Sequence, residues 1–437
     1  MIKRNLFFFV VFLVLANLIF GAYQLSQRRT ASFSSDYYSN ISHFGQVLRI
    51  IHENYVDEDE VGYDRLIDAA LEGMLRSLDP HSQYLTRDKF TTLQEETQQQ
   101  YGGIGIQIES RDGRVTVVSP IADTPGEAAG ILPGDQIIRV DGKNTERYST
   151  DQMVELLRGE PGAEVELTLY RPKTEETIEV TIVREIIELE SVRDVSLLDD
   201  EIGYIRVTQF GDRTAEEFEK AVRDLEEKEM RGLILDLRNN PGGLLTASVE
   251  VAGLFFNRGE MVVYTQGRDR ETRQEIESRT PARDREYPIV VLINSGSASA
   301  SEIVAGALRD TNRAVVVGEK SFGKGSVQSI EPLRRGDALR YTSAYYYTPA
   351  GVTIHEKGVV PDISVSLSIE ETARLLQQRN RPDLDPEEFR ERFGFEPIED
   401  KQLQTGIDVL KGLLLYAGLD NAGEMRARSS VDVDPGD

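Results

Sequence analysis

Between residues 201 and 367 short apolar runs alternate with helical patterns, and that alternation limits the fold more than any other feature of the chain. Residues 202–207, 233–237, 289–293 and 314–317 read as strands, and residues 215–228, 244–256 and 301–308 as helices. Such alternation is the pattern of an α/β unit. Ile289-Val-Val-Leu-Ile293 is apolar at every position. A strand of that kind is covered on both faces, as in a parallel sheet between helices.

The flanking regions have other patterns. Residues 30–40 are small and polar and read as a linker. Residues 43–100 read as helical, with apolar positions at Val47, Ile50, Ile51 and Tyr55, then Leu66, Ala69, Ala70 and Met74. Asp79-Pro80 breaks that pattern. In residues 101–185 short alternating runs are separated by Gly, Pro and Asp turns, with one helical stretch at 150–158, which predicts a compact, mostly-β module. Residues 369–417 are helical again, interrupted around 382–386, and 431–437 reads as a solvated tail. The expected organisation is therefore a multidomain α+β chain. Residues 1–29 form an N-terminal apolar segment, 30–100 a helical region, 101–185 the β module, 186–368 the α/β core, and 369–437 a C-terminal helical region and tail.

Composition excludes several partners. The 437 residues carry a formal net charge of −25, a surface that repels nucleic acid and anionic headgroups. No cysteine is present, so disulfides and thiolate metal sites are excluded. No H-E-x-x-H or clustered Asp/His set suggests a metal, and no phosphate-binding glycine loop has the required spacing, so no cofactor is expected. Residues 6–23 are almost wholly apolar behind Lys3 and Arg4. As a helix they would span about 27 Å, close to a bilayer core. A cleavable signal peptide competes with an uncleaved anchor; Phe20 sits where a small residue is wanted before a cut after Ala22, which favours the anchor. Arg28 and Arg29 beyond the segment partly balance Lys3 and Arg4, so charge sets its orientation only weakly.

The candidate chemistry lies in residues 294–328. Ser299 opens a helix after the strand ending at Ile293. In one reading Ser299-Ala-Ser-Glu302 is a capping box and the serine only caps the helix. In the other, a sharp strand-to-helix turn exposes a nucleophile, and the Ala300 N–H can hold a developing oxyanion. A serine needs a base, and Lys324 in Phe322-Gly-Lys-Gly-Ser326 is the candidate. The other reading of Lys324 is a solvated loop lysine. To act at neutral pH its pKa must fall by about 3 units, which burial can achieve. Gln328 would share a face with Lys324 on a strand and could orient the amine without stabilising its charge. Gly242 and Gly243, where a strand meets a helix, are candidates for a second oxyanion donor or simply for a tight turn. His81 and His355 are weaker base candidates. In the β module, Gly102, Gly103, Ile104, Gly105 and Ile106 read either as a plain hairpin loop or as a nest for a peptide's terminal carboxylate beside an edge strand. Arg158 reads first as an arginine matching the dipole at the end of the module's helix.

Taken together, Leu78-Asp-Pro-His-Ser-Gln-Tyr-Leu85, Tyr101-Gly-Gly-Ile-Gly-Ile106, Asp236-Leu-Arg-Asn-Asn-Pro-Gly-Gly-Leu244, the Ser299 segment, Phe322-Gly-Lys-Gly325, Thr348-Pro-Ala-Gly351 and Gly358-Val-Val-Pro-Asp-Ile363 resemble the carboxyl-terminal processing peptidases. The resemblance covers roughly residues 40–420. It implies a PDZ domain at 101–185 and a core related to the crotonase and Clp-type spiral. It also implies a Ser299–Lys324 dyad assisted by Gln328, with Ala300 and the Gly242-Gly243 turn as oxyanion hole. The chain would then be a serine endopeptidase that captures apolar protein C-termini. It would be anchored in a bacterial inner membrane, facing the periplasm or exterior, with helical ends that suggest a homodimer. Two rivals remain at this stage: an inactive PDZ adaptor, and a crotonase-like acyl-CoA enzyme. The second lacks a basic phosphate site to support it.

Overall fold

A computed structural model describes residues 35–431, except 112, 122, 147, 280–284 and 381–383. The apolar segment at 6–23 and the tail at 432–437 therefore lie outside the described residues. Among the described residues no helix is long and apolar enough to cross a membrane.

The chain divides into two units, Met1–Leu78 and Asp79–Asp437. In the first, the helices Ser35–Asn54 and Tyr63–Arg76 are joined by a short turn. The expected polar linker is thus already helical from Ser35. Its small polar residues are punctuated by Tyr37, Tyr38 and Ile41, which give it a helical repeat that composition alone conceals. His52 Nδ1 lies 2.8 Å from the Val61 carbonyl, and its ring lies against Tyr63. Val47, Ile50, Ile51 and Tyr55, the apolar positions of the expected helical pattern, are exposed.

In the second unit, a six-stranded sheet has the order Val192–Leu198, Ile202–Val207, Gly232–Asp236, Ile289–Ile293, Ala314–Gly318, Ile363–Ser364. Only its first pair is antiparallel. Both faces are covered, as the uniform hydrophobicity of Ile289–Ile293 requires. Ile289, Val291 and Ile293 pack with Phe218, Val222, Ile303 and Val304 from the helices Thr214–Glu226 and Ala300–Asp310. Val290 and Leu292 face the other way, onto Leu410 of the long helix Lys401–Val431. Each fully buried aliphatic side chain contributes about 1.5–3 kcal/mol.

A second, antiparallel sheet, which the apolar runs did not reveal, joins Gln83–Leu85, Ala338–Tyr347, Met261–Gly267 and Gln274–Glu277, with Ser326–Pro332 on the free side of Ala338–Tyr347. Its strands mix Tyr, Thr, Ser and charged residues because one face is wet. The β module hangs from a two-stranded stem in which Gln100–Gly103 pairs with Glu185–Glu188. Beyond the stem its sheet runs Ile106–Arg111, Arg114–Pro120, Gln136–Val140, Glu164–Arg171, Glu176–Val183, leaving Ile106–Arg111 at an open edge.

Candidate active site

Two neighbouring parallel strands, Gly232–Asp236 and Ile289–Ile293, end in turns that are laced together. Asn294 Oδ1 accepts from the N–H of Asn239 at 2.8 Å and of Gly296 at 3.0 Å. Ser297 Oγ donates to the Leu237 carbonyl at 2.8 Å. Asn240, with no exposed surface, donates through Nδ2 to Val207 and accepts the Gly242 N–H at 2.9 Å. Its carbonyl accepts from Ala298 N–H and Ser301 Oγ. The Gly-Gly turn is therefore fixed against the start of the Ser299 helix.

Ser299 sits at that start with φ 54° and ψ −112°. A serine rarely occupies such backbone, and the strain is held by its surroundings. Gly242 (φ 101°) packs so closely that a Cβ there would lie 2.7 Å from Ser299 Cβ and 2.9 Å from the Ala300 nitrogen. Among the described residues the N–H groups of Gly243 and Ala300 have no acceptor, whereas that of Gly242 is engaged by Asn240. Of the two glycines considered as donors, Gly243 is thus the one left free.

Glu302, read from the sequence only as a capping partner, is the hub of the site. It is fully buried. Oε2 accepts the N–H of Ser299 at 2.8 Å and of Lys324 at 2.9 Å; Oε1 accepts Ser321 Oγ at 2.5 Å and Gly323 N–H at 2.7 Å. Burial pushes its pKa up, and the four donors pull it back only in part. The main-chain nitrogens of Ser299 and Lys324 are thus no farther apart than two hydrogen bonds through one oxygen.

Lys324 lies in the loop before the strand Ser326–Pro332 rather than on it, so the shared-face argument for Gln328 does not apply. The loop is pressed against its neighbour: a Cβ on Gly325 would come 2.1 Å from the His355 nitrogen. The Lys324 amine makes no hydrogen bond or ion pair with a described residue. Burial, and then the Arg340 guanidinium, push its pKa below the ordinary lysine value, while Glu302 acts in the opposite sense. Gln328 donates through Nε2 to Ser326 Oγ at 3.1 Å and Thr342 Oγ1 at 2.9 Å, and its buried Oε1 has no partner. The His355 ring lies tilted against Tyr345, with ring centroids 4.4 Å apart, and its Nδ1 is buried and unpartnered among the described residues. Burial, then Lys324, lowers the pKa of His81. Neither histidine is oriented by a buried carboxylate.

In the β module, Gly102 and Gly103 belong to the stem ladder, opposite Ile186 and Glu185, rather than to a loop. The loop proper is Ile104 and Gly105. Their carbonyls are held by the N–H groups of Gly126 and Ile121, and their own N–H groups have no acceptor among the described residues. Beside them a cleft of about 1010 Å³ opens, lined by Ile104, Ile106, Val154 and Leu157 of the module and also by residues 186–190, Arg193, Asp194 and Arg213 outside it. Arg158 sits at its rim, over the Tyr101 ring and 3.7 Å from Glu95.

Comparison with known families agrees with this architecture. The description "Peptidase family S41" matches residues 201–365, "PDZ domain" residues 102–182, and "Activating protease CtpB N-terminal domain" residues 17–89. Together they define a serine-type peptidase with a PDZ module. A carboxy-terminal-processing protease of Bartonella bacilliformis is 39% identical over 377 residues, 85% of this chain and 84% of that protein. The carboxy-terminal processing protease CtpA of Bacillus subtilis is 37% identical over 305 residues, 70% of this chain and 65% of its own length. Among solved structures, a photosystem II D1 C-terminal processing protease is 30% identical, with TM-score 0.43, covering 74% of this chain and 92% of that one. The chain belongs to the carboxy-terminal-processing protease family, within peptidase family S41.

Proposed function

We propose that the protein cleaves polypeptides near their carboxyl termini through an acyl-enzyme on Ser299, with Lys324 as general base. The observation that carries this reading is the shared Glu302 oxygen, which ties the backbone of a strained serine to that of a lysine whose amine is half-buried and unpaired. Neutral Lys324 takes the proton of Ser299 Oγ as it attacks the scissile carbonyl. The oxyanion is held by the N–H groups of Ala300 and Gly243. Gln328 Oε1 steadies the lysine ammonium, which then protonates the leaving amine. Water, activated by the same lysine, releases the acyl group. Intact-mass measurement with a tailed peptide tests this. A covalent adduct and product should appear with the wild type and neither with Ser299→Ala or Lys324→Ala; turnover by either variant would overturn it.

Substrate capture follows from the free N–H groups of Ile104 and Gly105 and from the open strand edge at Ile106, which suit a terminal carboxylate and β-augmentation. An apolar tail should bind with its free carboxylate and lose affinity when amidated. Residues 6–23 support anchoring in a bacterial inner membrane with the protease beyond it; recovery of the full chain in the soluble fraction would contradict this. Exposed Ile41, Phe44, Val47 and Ile51 on one helix support a homodimer, which light scattering of the soluble form would test.

A further inference from the structure

Gln99 takes no part in the mechanism above and belongs to no motif, yet it has no exposed surface. It ends the helix Arg87–Gln98, and the stem strand Gln100–Gly103 begins directly after it. Its backbone is left-handed, with φ 55° and ψ 36°, a conformation that glutamine adopts seldom and that its surroundings must hold. The main-chain carbonyl accepts the Leu189 N–H at 2.8 Å, which lengthens the stem ladder by one bond. The side chain serves a different segment. Its Oε1 accepts the Arg213 N–H at 3.0 Å, while the Thr97 carbonyl accepts the Asp212 N–H at 3.1 Å. Gly211 lies flat against the same amide: a Cβ there would come 2.3 Å from Gln99 Cγ, 2.4 Å from Cδ and 2.6 Å from Oε1.

The residue before Gly211 holds the Gly-Gly turn. Phe210 donates its N–H to the Gly242 carbonyl at 2.9 Å, accepts the Leu244 N–H at 2.6 Å, and bridges Gly243 between them. The fit leaves no slack, since a Cβ on Gly243 would fall 2.0 Å from the Phe210 carbonyl oxygen. The Gly242 carbonyl and the Gly243 N–H belong to one peptide plane. In a trans peptide they point in opposite directions, so holding the carbonyl on Phe210 aims the free N–H away from it. The same turn packs Gly242 against Ser299. An unbroken line of contacts thus runs from Gln99 through Gly211 and Phe210 to the Gly242-Gly243 peptide and Ser299. Lys324 is not on that line; its main chain is held by Glu302.

We propose that Gln99 is a positioning residue for the oxyanion donor. By fixing the segment 210–213 it sets the plane of the Gly242–Gly243 peptide, and with it the direction of the Gly243 N–H. The inference rests on the reading of Gly243 as an oxyanion donor. Gln99 touches neither substrate nor Ser299 and acts only through Gly211 and Phe210.

The test uses the full chain, with kcat and KM for a tailed peptide counted per active site. Gln99→Met keeps the length of the side chain but cannot accept the Arg213 N–H, and Gly211→Ala drives a methyl into Gln99 from the other side. Each should lower kcat about tenfold or more, with KM and the affinity for the tail nearly unchanged. A peptide aldehyde gives a tetrahedral adduct on Ser299 whose oxygen needs the same donor, so its inhibition should weaken by a like factor. The pH limb of kcat should stay in place, because the lysine is held elsewhere. In a Gln99→Ala background Gly211→Ala should cost little further, since the atoms it meets are gone. Wild-type kcat in both single variants, a loss confined to KM, or a pH limb that moves with the loss would overturn the proposal. So would a fall in kcat with aldehyde affinity unchanged, which is what a merely structural role predicts. Wild-type turnover by Gly242→Ala would instead remove the oxyanion reading beneath it. Should Gln99→Met fail to fold, Gly211→Ala decides alone, by kcat against aldehyde affinity.

Discussion

Ser299 and Lys324 hang by their main-chain N–H groups from the same oxygen of Glu302, at 2.8 and 2.9 Å. The two residues approach from different strands, so their separation is set by a third side chain. Glu302→Gln keeps the volume but points an NH₂ group at N–H donors. Each lost hydrogen bond to the charged group costs about 1.5–3 kcal/mol. A lower melting midpoint and a large fall in kcat should appear together, checked by calorimetry and active-site titration. Stability with wild-type turnover would mean the tether is incidental.

The pH profile should carry the signature of the lysine. Its pKa lies below the ordinary 10.5 because of burial and then Arg340, opposed by Glu302. Rate should rise with pH as the amine loses its proton, with the limb below 10.5. Arg340→Met removes a repelling charge, so the limb should move to higher pH; Glu302→Gln removes an attracting one and should move it lower. Shifts in the reverse senses would assign the limb to another group.

A buried ion cluster joins the catalytic core to the C-terminal helical region. Arg238 donates to Asp236 and, at 2.8 Å, to Asp400, which also meets Arg379. Asp236 is wholly buried, and despite the cost of burial its cationic partners hold its carboxyl far below the ordinary value of 3.8. A depressed carboxylate stabilises the fold above pH 3.8, and the contribution fades only as pH falls towards the lower folded value. Arg238→Met strands that charge and should cost about 3–5 kcal/mol in denaturant unfolding. It should also raise the pH at which acid unfolds the protein.

Gly242→Ala addresses the turn beside Ser299. The new methyl would meet Ala298 O and Ser299 Cβ at 2.7 Å, in backbone with φ 101°. The turn must shift away from Ser299, and kcat should fall about a hundredfold or more. Steady-state kinetics check this, with the affinity of the PDZ module for a tail unchanged.

Leu410 has no exposed surface and seals the sheet face opposite the Ser299 helix, beside Ile234, Val290 and Leu292. Leu410→Ala should cost about 2–5 kcal/mol. Chemical denaturation would show it as a lower midpoint at unchanged slope.

The α/β core was legible because Ile289–Ile293 is apolar at every position, which few structures other than a doubly covered strand require. The second sheet was not. Ala338–Tyr347 is rich in Tyr and carries Arg340, Thr342 and Ser343, and it owes its place to pairing with Gln83–Leu85 and Met261–Gly267, far away in sequence. Ser299, Lys324 and Gln328 could be singled out as candidates from local context, since glycines and a strand-to-helix turn mark their surroundings. The links between them could not. Glu302 looked like a helix cap, which it also is. Thr342 meets Ser82 across 260 residues, with no local signal at either end.

The place of Asp400 in the chain has a consequence for biogenesis. It lies 162 residues beyond Arg238, so a ribosome has already released the serine, the lysine and both sheets when the acid that completes the cluster is still unmade. Until then a buried guanidinium lacks one of its carboxylates, and the sheet face that Leu410 will cover is bare. A half-made chain thus holds Ser299 and Lys324 without the ion cluster and helix that complete the sheet around them.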